Sequence, residues 1–302
     1  MKRHLIILAG PTAVGKTVLS IQLAKHYQCP IISADSRQFY KEMTIGTAKP
    51  STEEMDGVTH YFVNNKSINE IYNIGEYEKE VILLIDTLFS KHELLILVGG
   101  SGLYINAVLN GLDEFEEIPN DIRESLMKQY SENGITFLQE KLKQLDFNYF
   151  KEVDTNNPQR MMRALEVCMH TKKPFSEYRT KHKKTRNFQA LPILLNTNRA
   201  LLYERINKRV DDMIEAGLVE EVKGLHSKKE LNALNTVGYK EIFSYLENKI
   251  TLEEAIQLIK QNSRRYAKRQ LTWFTHQGDF ETFEPTEIEK IKSYISIITE
   301  HS

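Results

Sequence analysis

Eight consecutive residues carry the clearest chemistry in this 302-residue chain: Gly10-Pro11-Thr12-Ala13-Val14-Gly15-Lys16-Thr17. They fit the pattern G-x-x-x-x-G-K-S/T in full, after an apolar run over His4–Ala9. They also open a segment, Lys16–Tyr27, in which Val18, Leu19, Ile21 and Leu23 recur at helical spacing. Glycines in such a turn let backbone N–H groups wrap an anion, and the helix N-terminus adds its partial positive charge. Lys16 would reach the phosphates of a bound di- or triphosphate, and the Thr17 hydroxyl could hold Mg2+. The motif does not name the phosphate compound. Phosphoryl-transferring enzymes with this loop hold Mg2+ through an Asp at the end of a buried strand. Here the apolar run at 94–98 ends in Gly99-Gly100-Ser101-Gly102, with no acid. Residues 82–85 followed by Asp86 imitate such a strand but lie inside a helical pattern of Tyr77, Val81, Leu84 and Leu88, which makes Asp86 a surface acid. The missing acid argues against a plain kinase.

The loop needs a sheet behind it. Short apolar runs at 4–9, 30–33, 94–98 and 191–195, with helical patterns at 16–27 and 76–91, predict an α/β fold: a parallel sheet around the phosphate loop, flanked by helices. Ligands in open α/β sheets sit at the carboxyl ends of the strands. Two more strand ends would then face the loop, Asp35-Ser36-Arg37-Gln38 and Gly99-Gly100-Ser101-Gly102. Asp35 could bind a metal, accept a proton from a nucleophile, or cap a helix. The glycine turn allows close backbone approach, with the Ser101 hydroxyl at its lip.

From 113 to 187 no strand signal appears, and helical patterns follow one another at 121–132, 136–145 and 158–171. This stretch opens acidic (Asp113, Glu114, Glu116, Glu117) and closes basic (Arg179, Lys181, Lys183, Lys184, Arg186). It predicts an inserted all-helical domain over 113–187, the core domain comprising 1–112 and 188–302 with helices towards the C-terminus. The chain is 41% hydrophobic and 27% charged, enough for a large core without crosslinks. Cys29 and Cys168 alone exclude a disulfide scaffold, and two cysteines so far apart make a Cys-rich zinc site unexpected. No run approaches the ~18 apolar residues of a membrane helix, and 4–9 is too short for a signal-peptide core. A cytoplasmic monomer is expected, without membrane or zinc. The formal net charge of −1 excludes whole-molecule attraction to nucleic acid as the main binding force, but not a local basic patch.

Taken together, several blocks resemble the bacterial tRNA dimethylallyltransferases, also called tRNA isopentenyltransferases. They are the phosphate loop, 33–38, Gly46-Thr47-Ala48-Lys49-Pro50, Gly99 to Tyr104, Arg160-Met161-Met162-Arg163-Ala164-Leu165-Glu166-Val167, Gly238-Tyr239-Lys240-Glu241, and 264–274. The blocks stand in family order and span nearly the whole chain. The resemblance implies transfer of a dimethylallyl group from dimethylallyl diphosphate to N6 of the adenosine 3′ of the tRNA anticodon (position 37), with Mg2+ as cofactor. The loop would hold a diphosphate leaving group instead of ATP. It implies Asp35 as general base, Lys16 and Thr17 on the diphosphate with Mg2+, and Arg209 neutralising the diphosphate. It further implies tRNA contacts by Asp35, Ser36, Arg37, Gln38, Ser101, Arg123, Gln159, Arg160, Met161, Met162 and Arg163, with the anticodon stem-loop as partner of the helical insertion. Val14 stands where Ser is common, Ser101 where Thr is usual, and Lys172 where Gly is frequent; the zinc finger of eukaryotic relatives is missing.

A basic cluster supports a nucleic-acid partner independently: Lys260, Arg264, Arg265, Lys268 and Arg269 fall within ten residues without an acid. Its plain alternative is a solvated helix face, and the run 179–186 favours phosphate contacts. Two other readings remain open, an adenine-nucleotide isopentenyltransferase and a nucleotide-binding NTPase. A small acceptor needs neither insertion nor basic tail, and the NTPase lacks its strand-end acid. The chain should therefore hydrolyse neither ATP nor GTP above background, with or without tRNA. Robust tRNA-stimulated release of phosphate in a malachite-green assay, lost in Lys16→Ala, would restore the NTPase.

Overall fold

The computed structural model describes residues 3–113, 115, 118–179, 183–277 and 279–301. Glu114, Glu116, Glu117 and Lys181 lie outside the described residues. The chain divides into two compact units, Gly111–Lys184 and the remainder on either side of it.

The larger unit begins with β1 (His4–Ala9), α1 (Lys16–Tyr27), β2 (Ile31–Ser33), α2 (Thr52–Met55), β3 (His60–Tyr61), α3 (Ile74–Leu88), β4 (Leu94–Gly99) and α4 (Gly102–Asn110). The smaller unit contains α5 (Asn120–Leu145), α6 (Phe147–Glu152), α7 (Pro158–Thr171) and α8 (Phe175–Tyr178). The larger unit resumes with β5 (Gln189–Leu195), α9 (Arg199–Glu215), α10 (Leu218–Gly224), α11 (Tyr239–Leu246), α12 (Leu252–Gln277), β6 (Glu281–Phe283) and α13 (Ile288–His301).

All six strands join one parallel sheet in the order β3-β2-β4-β1-β5-β6. β1 lies inside it with every residue buried, as its unbroken apolar run requires. Alternate residues feed two cores. Ile6 and Leu8 pack with α1 and α13 residues such as Leu19, Leu23 and Ile291 on one face. Leu5 and Ile7 pack with Tyr77, Val81 and Ile105 of α3 and α4 on the other. A third core joins the 39–43 segment to α10, α11 and α12. Pro192, which has no N–H to give, lies one residue before β5 begins pairing with β6 at Ile193.

Two strands escape the sequence pattern. β3 has two residues and β6 three, both at sheet edges, too short for any periodicity to register. The break expected between 132 and 136 is real: Gly134, at φ 69, interrupts the helical backbone of α5. Asp86 is the surface acid its helical setting implied, accepting from Asn187 Nδ2 at 2.8 Å.

The unit boundary differs from the sequence expectation at its second crossing. Residues 185–187 belong with the sheet, because Arg186 is built into α3 and α4. Its guanidinium donates to Glu78 Oε1 at 2.9 Å, Ala107 O at 2.7 Å and Val108 O at 2.8 Å. Both side chains are nearly buried, 12% and 8% exposed. Arg186 is therefore a structural cation at the carboxyl end of α4, not a phosphate contact. Arg179, at the other end of that basic run, is paired with Glu152 at 2.7 Å. Arg186→Ala would remove one partner of Glu78 and the donor to two α4 carbonyls, costing about 1–3 kcal/mol of stability. Urea unfolding checks this; a loss below about 1 kcal/mol would mean that the pair is solvated like a surface bridge.

Candidate active site

The carboxyl ends of three adjacent strands, β2, β4 and β1, converge on one site. The phosphate loop leaves β1 and turns into α1 through Gly15, whose φ of 113° favours glycine. Among the described residues the N–H groups of Ala13, Gly15, Lys16 and Thr17 find no acceptor, while Val14 N bonds Pro11 O at 3.4 Å. Four donors at a helix N-terminus thus stand ready for an anion. Lys16 is folded onto the loop, its Nζ donating to Gly10 O at 2.9 Å and Pro11 O at 2.7 Å. Burial, then the charge of Arg209, push its pKa down to about 7, with Asp35 acting in the opposite direction. Thr17, the second residue of α1, is exposed at the same chamber.

Helix α9 contributes two arginines one turn apart. Arg209 Nη1 donates to Thr12 Oγ1 at 3.1 Å, and Arg205 Nη1 to Val14 O at 3.3 Å. Burial pulls the Arg209 pKa below its usual value, against the opposing charges of Asp35 and Glu54.

Asp35 follows β2. Its Oδ1 accepts from Arg37 N at 2.9 Å and Gln38 N at 3.3 Å, which fixes the turn after the strand. This is the local role of a capping aspartate, although no helix follows. It occupies one oxygen; Oδ2 has no hydrogen-bond partner among the described residues. Ser101 Oγ accepts from Ser36 N at 3.1 Å and so ties the β2 turn to the β4 turn. Burial of Tyr266 on α12, together with the nearby Asp35 charge, pushes its phenol up to about 12, so it stays neutral beside that carboxylate.

These groups line two adjoining chambers. One, of about 240 Å³, is bounded by the loop, Thr17, Asp35, Gly100 and Gln270. The other, of about 490 Å³, has apolar walls from Ile206, Val210, Met213 and Ile259, and polar ones including Ser36, Arg37 and Arg269. Thr12, Asp35, Thr47, Arg209 and Tyr266 line both. An anion in the first chamber and an organic group in the second would meet beside the Asp35 carboxylate.

The structure thus gathers Gly10 to Thr17, Asp35, Ser36, Arg37, Ser101 and Arg209 in one unit. Gln38 stands with them, but its Nε2 serves the protein itself, donating to Thr47 O and Ala48 O at 3.2 Å each. Arg123, Gln159, Arg160, Met161, Met162 and Arg163 belong to the helical unit. Gln159, Arg160 and Arg163 are exposed on the first turns of α7. Arg123 and Arg163 share the buried Glu166, at 2.9 and 3.2 Å. Met161 corrects the sequence reading: it is fully buried against Leu126, Leu138, Leu142 and Leu165, so its side chain packs the core and offers nothing to a ligand.

Sequence reasoning missed Arg205, Tyr266, Gln270 and Glu221. Arg205 was signalled by its position four residues before Arg209. Glu221 accepts the amides of Thr44, Ile45 and Gly46 and the hydroxyl of Tyr239, at 2.6 to 3.0 Å, so it moulds the loop that presents Thr47. Nothing in an exposed-looking acidic pair, Glu220 and Glu221, marks that role. The basic face of α12 also divides. Lys260 is paired with Asp211 at 2.6 Å and Arg264 bonds Asn207, whereas Arg265, Lys268 and Arg269 are exposed.

The family of IPP transferases matches residues 38–277. The chain belongs to this family. It is 51% identical over 290 residues to a tRNA dimethylallyltransferase of Christiangramia forsetii, covering 96% of each chain. The full-length tRNA isopentenylpyrophosphate transferase of Bacillus halodurans has a similar structure, with TM-score 0.74 and 37% identity over 99% of this chain and 98% of that one. A eukaryotic dimethylallyltransferase solved acting on tRNA aligns with TM-score 0.79 and 29% identity, over 95% of this chain and 75% of that one. These relatives extend the likeness over the phosphate loop, which precedes the matched span of the family.

The state of Lys16 yields a pH dependence. Its pKa in the empty site is near 7, and a bound anion favours the charged amine, so binding takes up a proton. The Lys16 contribution to pyrophosphate affinity should be flat below pH 7 and fall above it, by up to about tenfold per pH unit. Calorimetric titration of wild type against Lys16→Met isolates this effect, because ionisation of the ligand is common to both. Parallel pH profiles would mean that Lys16 is charged throughout.

Proposed function

We propose that this chain is a tRNA dimethylallyltransferase, moving a dimethylallyl group from dimethylallyl diphosphate to N6 of the adenosine 3′ of the tRNA anticodon, position 37. The observation that carries the reading is the junction of the two chambers, where a diphosphate cradle and one carboxylate with a free oxygen face the same point. An N6 amine is a poor nucleophile, because its lone pair is delocalised into the ring. An allylic diphosphate compensates by leaving readily. In the reaction the allylic C–O bond breaks and its electron pair departs with the diphosphate. The N6 lone pair forms the new C–N bond, and the N6 proton passes to Asp35.

The four loop amides, Lys16 and Arg209 stabilise the charge that develops on the leaving group. Asp35 needs only Oδ2 as proton acceptor, since Oδ1 holds its own turn. Tyr266, kept neutral, borders the carboxylate without competing for the proton. Ile206, Val210, Met213 and Ile259 supply an apolar surface for a five-carbon group and exclude water from an electron-poor carbon.

Mg2+ belongs to the same proposal. The hydroxyl of Thr17 borders the phosphate chamber, and no group of three acidic, His or Cys side chains forms a protein cage among the described residues. That donor set suits a hard cation that takes most of its ligands from phosphate oxygens and water. When bound it would add positive charge beside the leaving diphosphate.

The acceptor is the anticodon stem-loop, whose target base must leave the stack to bring N6 to Asp35. Ser36, Arg37 and Ser101 at the site, with Arg123, Gln159, Arg160 and Arg163 on the helical unit, are the proposed RNA contacts. A cytoplasmic monomer suits the reading. No described helix is long and apolar enough to cross a membrane.

Labelled dimethylallyl diphosphate, offered with tRNA or with AMP, tests the activity. Label should enter tRNA alone, and label in AMP would instead mark an adenine-nucleotide enzyme. Asp35→Ala should lower kcat about 10²–10⁴-fold, while tRNA affinity hardly changes. If Asp35 only shapes its turn, the variant would lose about 1 kcal/mol of stability and keep its turnover at low temperature.

A further inference from the structure

Gln270 is a polar side chain 6% exposed, carried by α12 into the wall of the phosphate chamber. Its amide is satisfied at both ends. Oε1 accepts from Thr12 N at 2.9 Å, and Nε2 donates to Gly100 O at 2.9 Å. The orientation is fixed by its partners, since turning the amide over would set donor against donor at Thr12 and acceptor against acceptor at Gly100. A Cβ on residue 100 would lie 2.3 Å from that Nε2, so the glycine lets the side chain cross the β4 turn.

This crossing decides which loop amides an anion can use. Four N–H groups remain free, those of Ala13, Gly15, Lys16 and Thr17. A longer polyphosphate would have to draw donors from the leading arm of the loop. Pro11 has no N–H there, and the Thr12 N–H is held by Gln270. The Thr12 hydroxyl oxygen accepts from Arg209, which leaves its single O–H as the donor of that residue outside the Gln270 contact. A further phosphate would meet a carbonyl oxygen where it needs a donor, and that repels it.

We propose that Gln270 is a specificity-determining residue that restricts the loop to a diphosphate and rejects a triphosphate. The inference rests on the diphosphate reading of the loop given above. Rejection matters for the chemistry. Nucleoside triphosphates carry the same terminal anion as the prenyl donor plus one phosphate, and an unselective loop would be occupied by them.

Calorimetric titrations of the full chain with pyrophosphate and with tripolyphosphate, each with Mg2+, test it. Wild type should bind pyrophosphate about tenfold more tightly, although tripolyphosphate carries more charge. Gln270→Ala should release the Thr12 N–H, open the chamber and narrow the preference by about tenfold. Gln270→Met removes both hydrogen bonds at similar volume and should narrow it less. Equal wild-type affinities for the two anions would overturn the proposal without any variant. So would an unchanged preference in a folded Gln270→Ala, which would leave Gln270 as a brace only. If wild type binds neither anion, the diphosphate reading itself fails; pyrophosphate binding without discrimination defeats the present inference alone.

Discussion

A loop that wraps an anion cannot satisfy its own amides, and this constraint organises the molecule around it. Ala13, Gly15, Lys16 and Thr17 leave four N–H groups without acceptors among the described residues. Such a cradle must be held open by something other than its ligand. β1 does part of this, buried between β4 and β5 so that the loop starts from a rigid point. The remainder falls to side chains on distant elements. Gln270 of α12 holds Thr12 from one side, and Arg205 and Arg209 of α9 hold Val14 and Thr12 from another. The loop is thus preformed by contacts nearly two hundred residues or more away along the chain, and an anion need not spend binding energy on ordering it.

Preforming a cationic pocket costs electrostatic energy while it is empty. Burial lowers the proton affinity of both Lys16 and Arg209, and the charge of Arg209 lowers that of Lys16 further. Asp35 offsets part of this cost, because its charge favours the protonated form of both cations.

Much of this was legible in the residues. Continuous apolar runs announce buried parallel strands, so β1, β4 and β5 were recognisable; β2, with three residues, was recognisable because Pro30 and the acid after Ala34 bound it. β3 and β6 were not, because edge strands of two and three residues have too little pattern. The loop declares itself through glycines and a lysine whose spacing is dictated by phosphate geometry. Gln270, Tyr266 and Glu221 do not, because their roles depend on where α12 and α10 land relative to β4 and the 44–47 segment. That is a tertiary fact with no local signature. Met161 fails for the opposite reason. Its neighbours Arg160 and Arg163 face solvent, and a contiguous motif hides the fact that one residue in it points into the core.

The division of the arginines bears on how a chain of net charge −1 engages an RNA. Arg186 and Arg179 are consumed by Glu78 and Glu152, and Lys260 by Asp211. Their charge is therefore largely cancelled within the fold, and a count of basic residues overstates what phosphate can use. Arg265, Lys268 and Arg269 remain exposed along α12, and Arg269 also borders the larger chamber. On the helical unit Arg123 and Arg163 bring two charges against the single buried carboxylate of Glu166. That leaves a net positive charge whose side chains are already oriented. A few fixed cations of this kind favour recognition through geometry over bulk attraction, because each loses little conformational freedom on meeting a phosphate. The same logic would apply at both ends of the proposed reaction: the fold holds Lys16 through two loop carbonyls, Arg209 through the Thr12 hydroxyl, and Arg123 and Arg163 through Glu166.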